Sequence, residues 1–217
     1  METTRPLVPA RQTSSTPERT MLVAASVAVL TGLAVGIGTQ VLQGVLPGSW
    51  GVVANSGVAW ALGAFAVGMA MPSARAGALC GATAMVLATL SYYWAVDWFE
   101  GISSGSRGAL VWSVAGLVAG PAFGFAGHVA RMQPDRRGVA LAPVAGIFVG
   151  EGTHLLWFVG VDHLWPAGVV EVVLGATLCA VCLVIDRHRL AVLGTAAAAV
   201  AIHRFASVAI ETGFAIV

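Results

Sequence analysis

Seven apolar runs, each close to the length of a membrane-spanning helix, follow one another along this chain with little between them. They lie at Met21–Leu46, Trp50–Met71, Arg75–Val96, Ala109–Ala130, Gly138–Val161, Pro166–Ile185 and Leu190–Val217. A helix needs about 20 residues to cross a bilayer core. Lipid offers no partner to an open backbone N–H or C=O, so runs of this kind must be helical. The breaks between them are short and carry Pro, Gly or charge, as turns should. His203 and Arg204 interrupt the last run, which leaves six or seven spans, with seven expected. Charged residues make up only 10% of the chain, against about 25% in a soluble domain. The expected fold is therefore all-α: a polytopic transmembrane helix bundle in a lipid bilayer. A formal net charge of +1 gives no basis for a nucleic-acid partner.

Residues Met1 to Thr20 are polar, contain Pro6, Pro9 and Pro17, and show no apolar period. They read as a disordered cytoplasmic tail, followed by a single transmembrane domain over residues 21–217. The first apolar run is too long for the core of a signal peptide, so an uncleaved helix is expected. All eleven basic residues are arginine. With the N-terminus inside, Arg5, Arg11, Arg19, Arg75, Arg131, Arg136, Arg137, Arg187 and Arg189 face the cytoplasm, which fixes the orientation. The C-terminus is then outside, and the location is the cytoplasmic membrane. Cys179 and Cys182 form a C-x-x-C inside an apolar run, where small buried thiols are the plain reading.

Glu151 is the residue that this frame makes expensive. It lies well inside the fifth run, where an ionisable side chain needs a partner or a purpose. Glu151, His154 and Phe158 fall at i, i+3 and i+7, roughly one helical face. Arg204 comes out at a similar depth in the last run, so two readings stand: an ion pair that fixes packing, or an arginine that tunes a working carboxyl group. Arg204, Ser207 and Glu211 share a second face, and Glu171 lies about a turn below the outer rim. A carboxyl group in a dry pocket can keep its proton and serve as a general acid. Alternatively, Glu171 and Glu211 simply reach the interface. Trp60 and Trp157 lie deeper than an interfacial belt requires, and with Tyr93 and Trp94 they could wall a pocket for a cation. Asn55, in Asn55-Ser56-Gly57, suits hydrogen bonding between helices. His154 and His203 near carboxylates raise metal binding, but the single Glu-x-x-His at 151 and 154 has no second copy. No metal and no cofactor is expected.

Several stretches together resemble a family of small integral-membrane proteins, mostly actinobacterial, of unknown function. They are Leu46-Pro47-Gly48-Ser49-Trp50, Ala54-Asn55-Ser56-Gly57-Val58-Ala59-Trp60, Tyr92-Tyr93, Ala119-Gly120-Pro121-Ala122-Phe123-Gly124 and Ala145-Gly146-Ile147-Phe148-Val149-Gly150-Glu151-Gly152. The resemblance covers most of the chain, marks Asn55 and Glu151, and carries no activity. Length, helix count, membrane carboxylates and deep aromatics are also similar in architecture to the small membrane-bound terpene cyclases.

Two expectations about function follow. The first is an acid-initiated cyclase acting on a lipid-soluble prenyl substrate, with Glu151, Glu171 or Glu211 as the acid and Arg204 as its tuner. Asn55, Trp60, Tyr93, Trp94, His154, Trp157 and His203 would line its substrate pocket. The second is a small-solute transporter or substrate-binding membrane subunit with an outward-facing pocket. Protein partners are not legible in the sequence, although a packing partner for another membrane protein is a third, structural option.

Overall fold

A computed structural model describes residues 17–101 and 106–215, the side chains at positions 17, 18, 211 and 213–215 excepted. Its elements are α1 (Pro17–Val45), α2 (Trp50–Ala54), α3 (Gly57–Ala70), α4 (Ala74–Glu100), α5 (Ser106–Met132), α6 (Arg137–Trp157), α7 (Trp165–Ile185) and α8 (Arg189–Ala215). Seven spans result, each long and apolar enough to cross a membrane, with α2 and α3 together making the second. The described chain is a multi-pass membrane protein by length and composition.

The differences from the expected boundaries have local causes. Helix α1 is already helical at Pro17, four residues before Met21. That start takes Pro17–Thr20 out of the expected tail, and residues 1–16 lie outside the described residues. Helix α6 stops at Trp157 rather than at Val161; Gly160 then takes φ 67°, and a 3-10 turn at Asp162–Leu164 leads into α7. The largest difference is the second span, which is not continuous. Asn55 ends α2 and Ser56, with extended backbone, opens α3. Helix α8 runs unbroken through His203 and Arg204.

The spans pack as two groups. Helices α1, α3, α4 and α5 form one, in which α4 lies closely along α5 and α1 while α3 wedges against α4 and α5. Helices α6, α7 and α8 form the other, with α6 in the middle. The seam between them is thinner: α5 and α3 touch α6, and α2 touches α7. Within the first group, close approach depends on glycine. A Cβ at Gly124 would collide with the carbonyl oxygen of Gly77, and one at Gly68 with the carbonyl of Gly124. Small residues that let backbones meet are the usual means of association in lipid, where apolar side chains gain little by leaving it.

The end of α6 away from Trp157 is closed from a distance. Arg136 at its N-cap makes no side-chain cap. Asp186, buried in the α7–α8 turn, instead accepts from the N–H of Val139 at 3.0 Å and from that of His188 at 2.8 Å. Burial acts to raise this carboxyl group, but those N–H groups and the His188 ring outweigh it and hold it below the usual aspartate range.

Two outcomes follow. Gly124→Ala should lower the midpoint of thermal unfolding in detergent by an overpacking cost of about 1–3 kcal/mol. Gly38→Ala, where a Cβ meets nothing within 4 Å, should be neutral or gain up to ~1 kcal/mol from helix propensity; equal loss in both would refute the packing argument. Asp186→Asn should cost ~1 kcal/mol as a weakened cap. Because its folded pKa is depressed, the stability it contributes is present at neutral pH and lost as pH falls below about 4. A flat unfolding midpoint from pH 7 to pH 3, corrected by the same scan on the variant, would rule that out.

Candidate functional site

The interruption between α2 and α3 determines what lies beside it. A helix beginning inside a membrane presents N–H groups with no partner in its own chain direction. Ser56 meets part of that need, its hydroxyl accepting from the Val58 N–H at 3.1 Å. Glu151 of α6 supplies the rest from across the seam. Its Oε2 accepts from the Ser56 hydroxyl at 2.8 Å, and its Oε1 accepts from the Gly57 N–H at 3.2 Å. The partial positive charge of a helix N-terminus favours a carboxylate there. Gly57 leaves room for it, since a Cβ at this position would stand 3.4 Å from Oε2.

A second carboxyl group comes from α7. Glu171 is 0% exposed, and neither of its oxygens has a hydrogen-bond partner among the described residues. Its electrostatic neighbours are Glu151 and the Ser56 hydroxyl, and that hydroxyl already donates to Glu151. Chain geometry puts all three groups at one level. Ser56 lies six residues in from Trp50, Glu151 six back from Trp157, and Glu171 six in from Trp165. At ~1.5 Å per residue, each is roughly 9 Å below the tryptophan-bearing end of the bundle.

What surrounds this level is uneven. Toward the tryptophan end, Leu155, Leu164 and Ala167 pack with Val52 and Val53, about one helical turn of apolar cover. Toward the arginine-bearing end lies the main core, with Val58, Ala61, Phe65, Phe123 and Val144. A cavity of about 430 Å³ opens elsewhere, on the apolar surface between α1 and α4 beside Leu33, Leu90 and Trp94.

The expected pairing of Glu151 with Arg204 does not form. One Arg204 guanidinium nitrogen lies 3.1 Å from His154 Nδ1, and its Cζ sits 3.5 Å from the centre of the Phe158 ring. Arginine can only donate, so His154 Nδ1 accepts and its proton is on Nε2. His203 meets His154 edge-on at 6.3 Å. Residues three apart on a helix stand about 60° apart around its axis. That is enough to aim Glu151 at α3 while His154 turns to α8, so the shared face drawn from spacing divides into two. The Glu211 side chain lies outside the described residues.

The aromatic wall is also divided. Trp60 and Tyr92 meet at 5.8 Å, and Tyr93 stands edge-on to Tyr92 at 5.3 Å, beside α1 and α4. Trp94 is 54% exposed and stacks on Trp98, and Trp157 is 69% exposed. Those two face out of the bundle, as an interfacial belt does. Asn55 contributes the end of α2, its N–H donating to the Gly51 and Val52 carbonyls. Ser56 and Gly57 were not singled out as site residues by spacing. The legible signal was a serine immediately before an apolar run, which is an N-cap signature. No group of three or more His, Cys, Asp or Glu residues suited to a metal occurs among the described residues.

Ser56→Ala should lower stability by about 1–3 kcal/mol, since it removes both the cap and a donor to a buried carboxylate. Ser56→Thr should recover most of the loss. Thermal unfolding of both variants in detergent checks this, and a Ser56→Ala midpoint equal to wild type would mean the Glu151 contact is incidental.

Residues 15–212 match a family of unknown function (DUF6518), and the chain belongs to that family. No curated protein and no solved structure matches it.

Proposed function

We propose that this member of DUF6518 is a small-solute membrane transporter, or the membrane-embedded solute-binding subunit of one. The observation that carries the reading is the interrupted second span, whose α3 N-terminus docks on Glu151 across the seam between two helix groups. Irregular backbone at membrane depth is tolerated where it is buried or lines a path, and broken helices at the junction of two moving halves are how many carriers hold their cargo. The seam here is held by fewer contacts than either group has inside itself, which suits rocking of one group against the other. Arginine placement supports a cytoplasmic N-terminus; in that orientation the site lies toward the outside, beneath the thin cover formed by Val52, Val53, Leu155, Leu164 and Ala167.

Acid-initiated cyclisation of a prenyl substrate is the second reading. Glu171 favours it, as a fully buried acid with no hydrogen-bond partner among the described residues. The aromatic residues favour it less, because Trp94 and Trp157 lie on the bundle surface.

The test is reconstitution of the full chain in liposomes, with currents or internal pH recorded while a panel of amino acids, amines, sugars and carboxylates is presented. Some solute should evoke a saturable response that falls at least tenfold in Glu151→Gln and Glu171→Gln, with both variants eluting as wild type on size exclusion. Silence across the panel, together with a cyclised product from an epoxidised prenyl substrate that is lost in Glu171→Gln, would replace transport by cyclisation.

A further inference from the structure

A carboxyl group with no partner at 0% exposure requires explanation. An ionised carboxylate there, unpaired, is far too costly, so the group must carry a proton or hold a cation. Glu171 is the only acid of the pair left in that position. Glu151 is already served by the Ser56 hydroxyl, the Gly57 N–H and the positive end of α3. Those donors solvate the Glu151 charge and the end of α3 adds about half a positive charge, whereas nothing comparable serves Glu171 among the described residues. A monovalent cation in place of the Glu171 proton leaves the charge of the site unchanged, whereas a divalent ion would add one positive charge.

We propose that Glu171 and Glu151 form a binding site for one sodium-sized monovalent cation, loaded in exchange for the proton of Glu171. The exchange is Glu171–CO₂H + Na⁺ giving Glu171–CO₂⁻·Na⁺ + H⁺, the O–H bond breaking and the proton leaving to water. The two Glu171 oxygens supply the open ligands, and Glu151 adds its charge from α6. Helices α2 and α3 bring Val52, Val53, Ser56 and Gly57 to this level, none of which titrates near neutrality. The remaining titratable or charged groups of α6 and α8 nearby are His154, His203 and Arg204; Arg204 is turned toward His154, and His203 packs on Gly150 and meets His154 edge-on. Entry is short, through about one turn of apolar side chains. As the coupling ion of a carrier the cation rests on the transport reading, but its binding is measured without any solute.

The experiment uses the full chain in detergent and ²²Na⁺ as the probe, at constant ionic strength made up with choline chloride. Wild type should bind close to one Na⁺ per chain, saturably, with the half-saturating concentration rising about tenfold for each unit the pH is lowered through the exchange range. Glu171→Gln should bind at least tenfold more weakly while its helical circular dichroism and elution stay unchanged. Glu100→Gln, outside the site, should bind as wild type. Absence of saturable binding up to pH 8.5, binding that ignores pH, or wild-type binding in Glu171→Gln would each overturn the proposal. A carboxylic C=O infrared band lost in Glu171→Gln without any Na⁺ binding would also overturn it, leaving a proton as the sole occupant. Solute currents that persist without a cation gradient, together with no saturable ²²Na⁺ binding, would sink this inference and leave transport standing. Sodium binding with no solute moved would do the reverse.

Discussion

Unsatisfied backbone groups govern this protein more than any single contact does. In water a helix can stop anywhere, because solvent takes up the free N–H groups; in a bilayer it can stop only where the protein itself supplies acceptors. The second span stops and restarts roughly 9 Å below one end of the bundle. From that follows a chain of necessities: Ser56 must cap α3, an acceptor must come from another helix, and that acceptor must be an acid able to take two donors. Glu151 fills the role. The same rule governs the opposite end of α6, where Asp186 reaches back from the next turn to take the Val139 N–H.

Much of this was legible in advance and some was not, for identifiable reasons. The spans were, because a run of about 20 apolar residues has few alternatives. Glu151 stood out because depth alone made it costly. The break at Asn55–Ser56 was hidden by its own neighbourhood: hydropathy averaged over Trp50–Ala70 is that of one span, and a serine costs that average little. Spacing placed Glu151 and His154 on one face, and the 60° between them proved decisive, because α3 and α8 lie on different sides of α6. Pairing Glu151 with Arg204 by depth alone had no information about azimuth. The role of Asp186 has no signal in the sequence, since nothing local reveals which helix end a turn residue will serve.

Glycine sets the close packing inside both helix groups, since a Cβ at Gly146 or Gly152 of the second would meet a backbone carbonyl just as one at Gly68 or Gly124 of the first would. Around Gly68, Gly77 and Gly124 the helices of the first group touch backbone to backbone, a contact with little freedom to slide. Across the seam α3 and α5 meet α6 through the main apolar core, which includes Val58, Phe65, Phe123 and Val144, and the Glu151 contacts and the apolar cover lie above it. The seam is thinner than the packing within either group, and the carboxyl pair lies beside it.

That placement bears on how Glu151 and Glu171 divide their work. Glu151 is hydrogen-bonded to Ser56 and Gly57 of the other group. Glu171 has no hydrogen-bond partner among the described residues, so its state depends on what occupies the space beside it. One acid therefore holds the joint while the other waits for a charge, and the occupancy of Glu171 must alter the electrostatics felt by the Glu151–Ser56 contact. A second charge beside the Glu151 carboxylate is costly unless a cation offsets it. In the proposed site, loading or emptying Glu171 would therefore act by Coulomb repulsion on the Glu151–Ser56 contact across the seam.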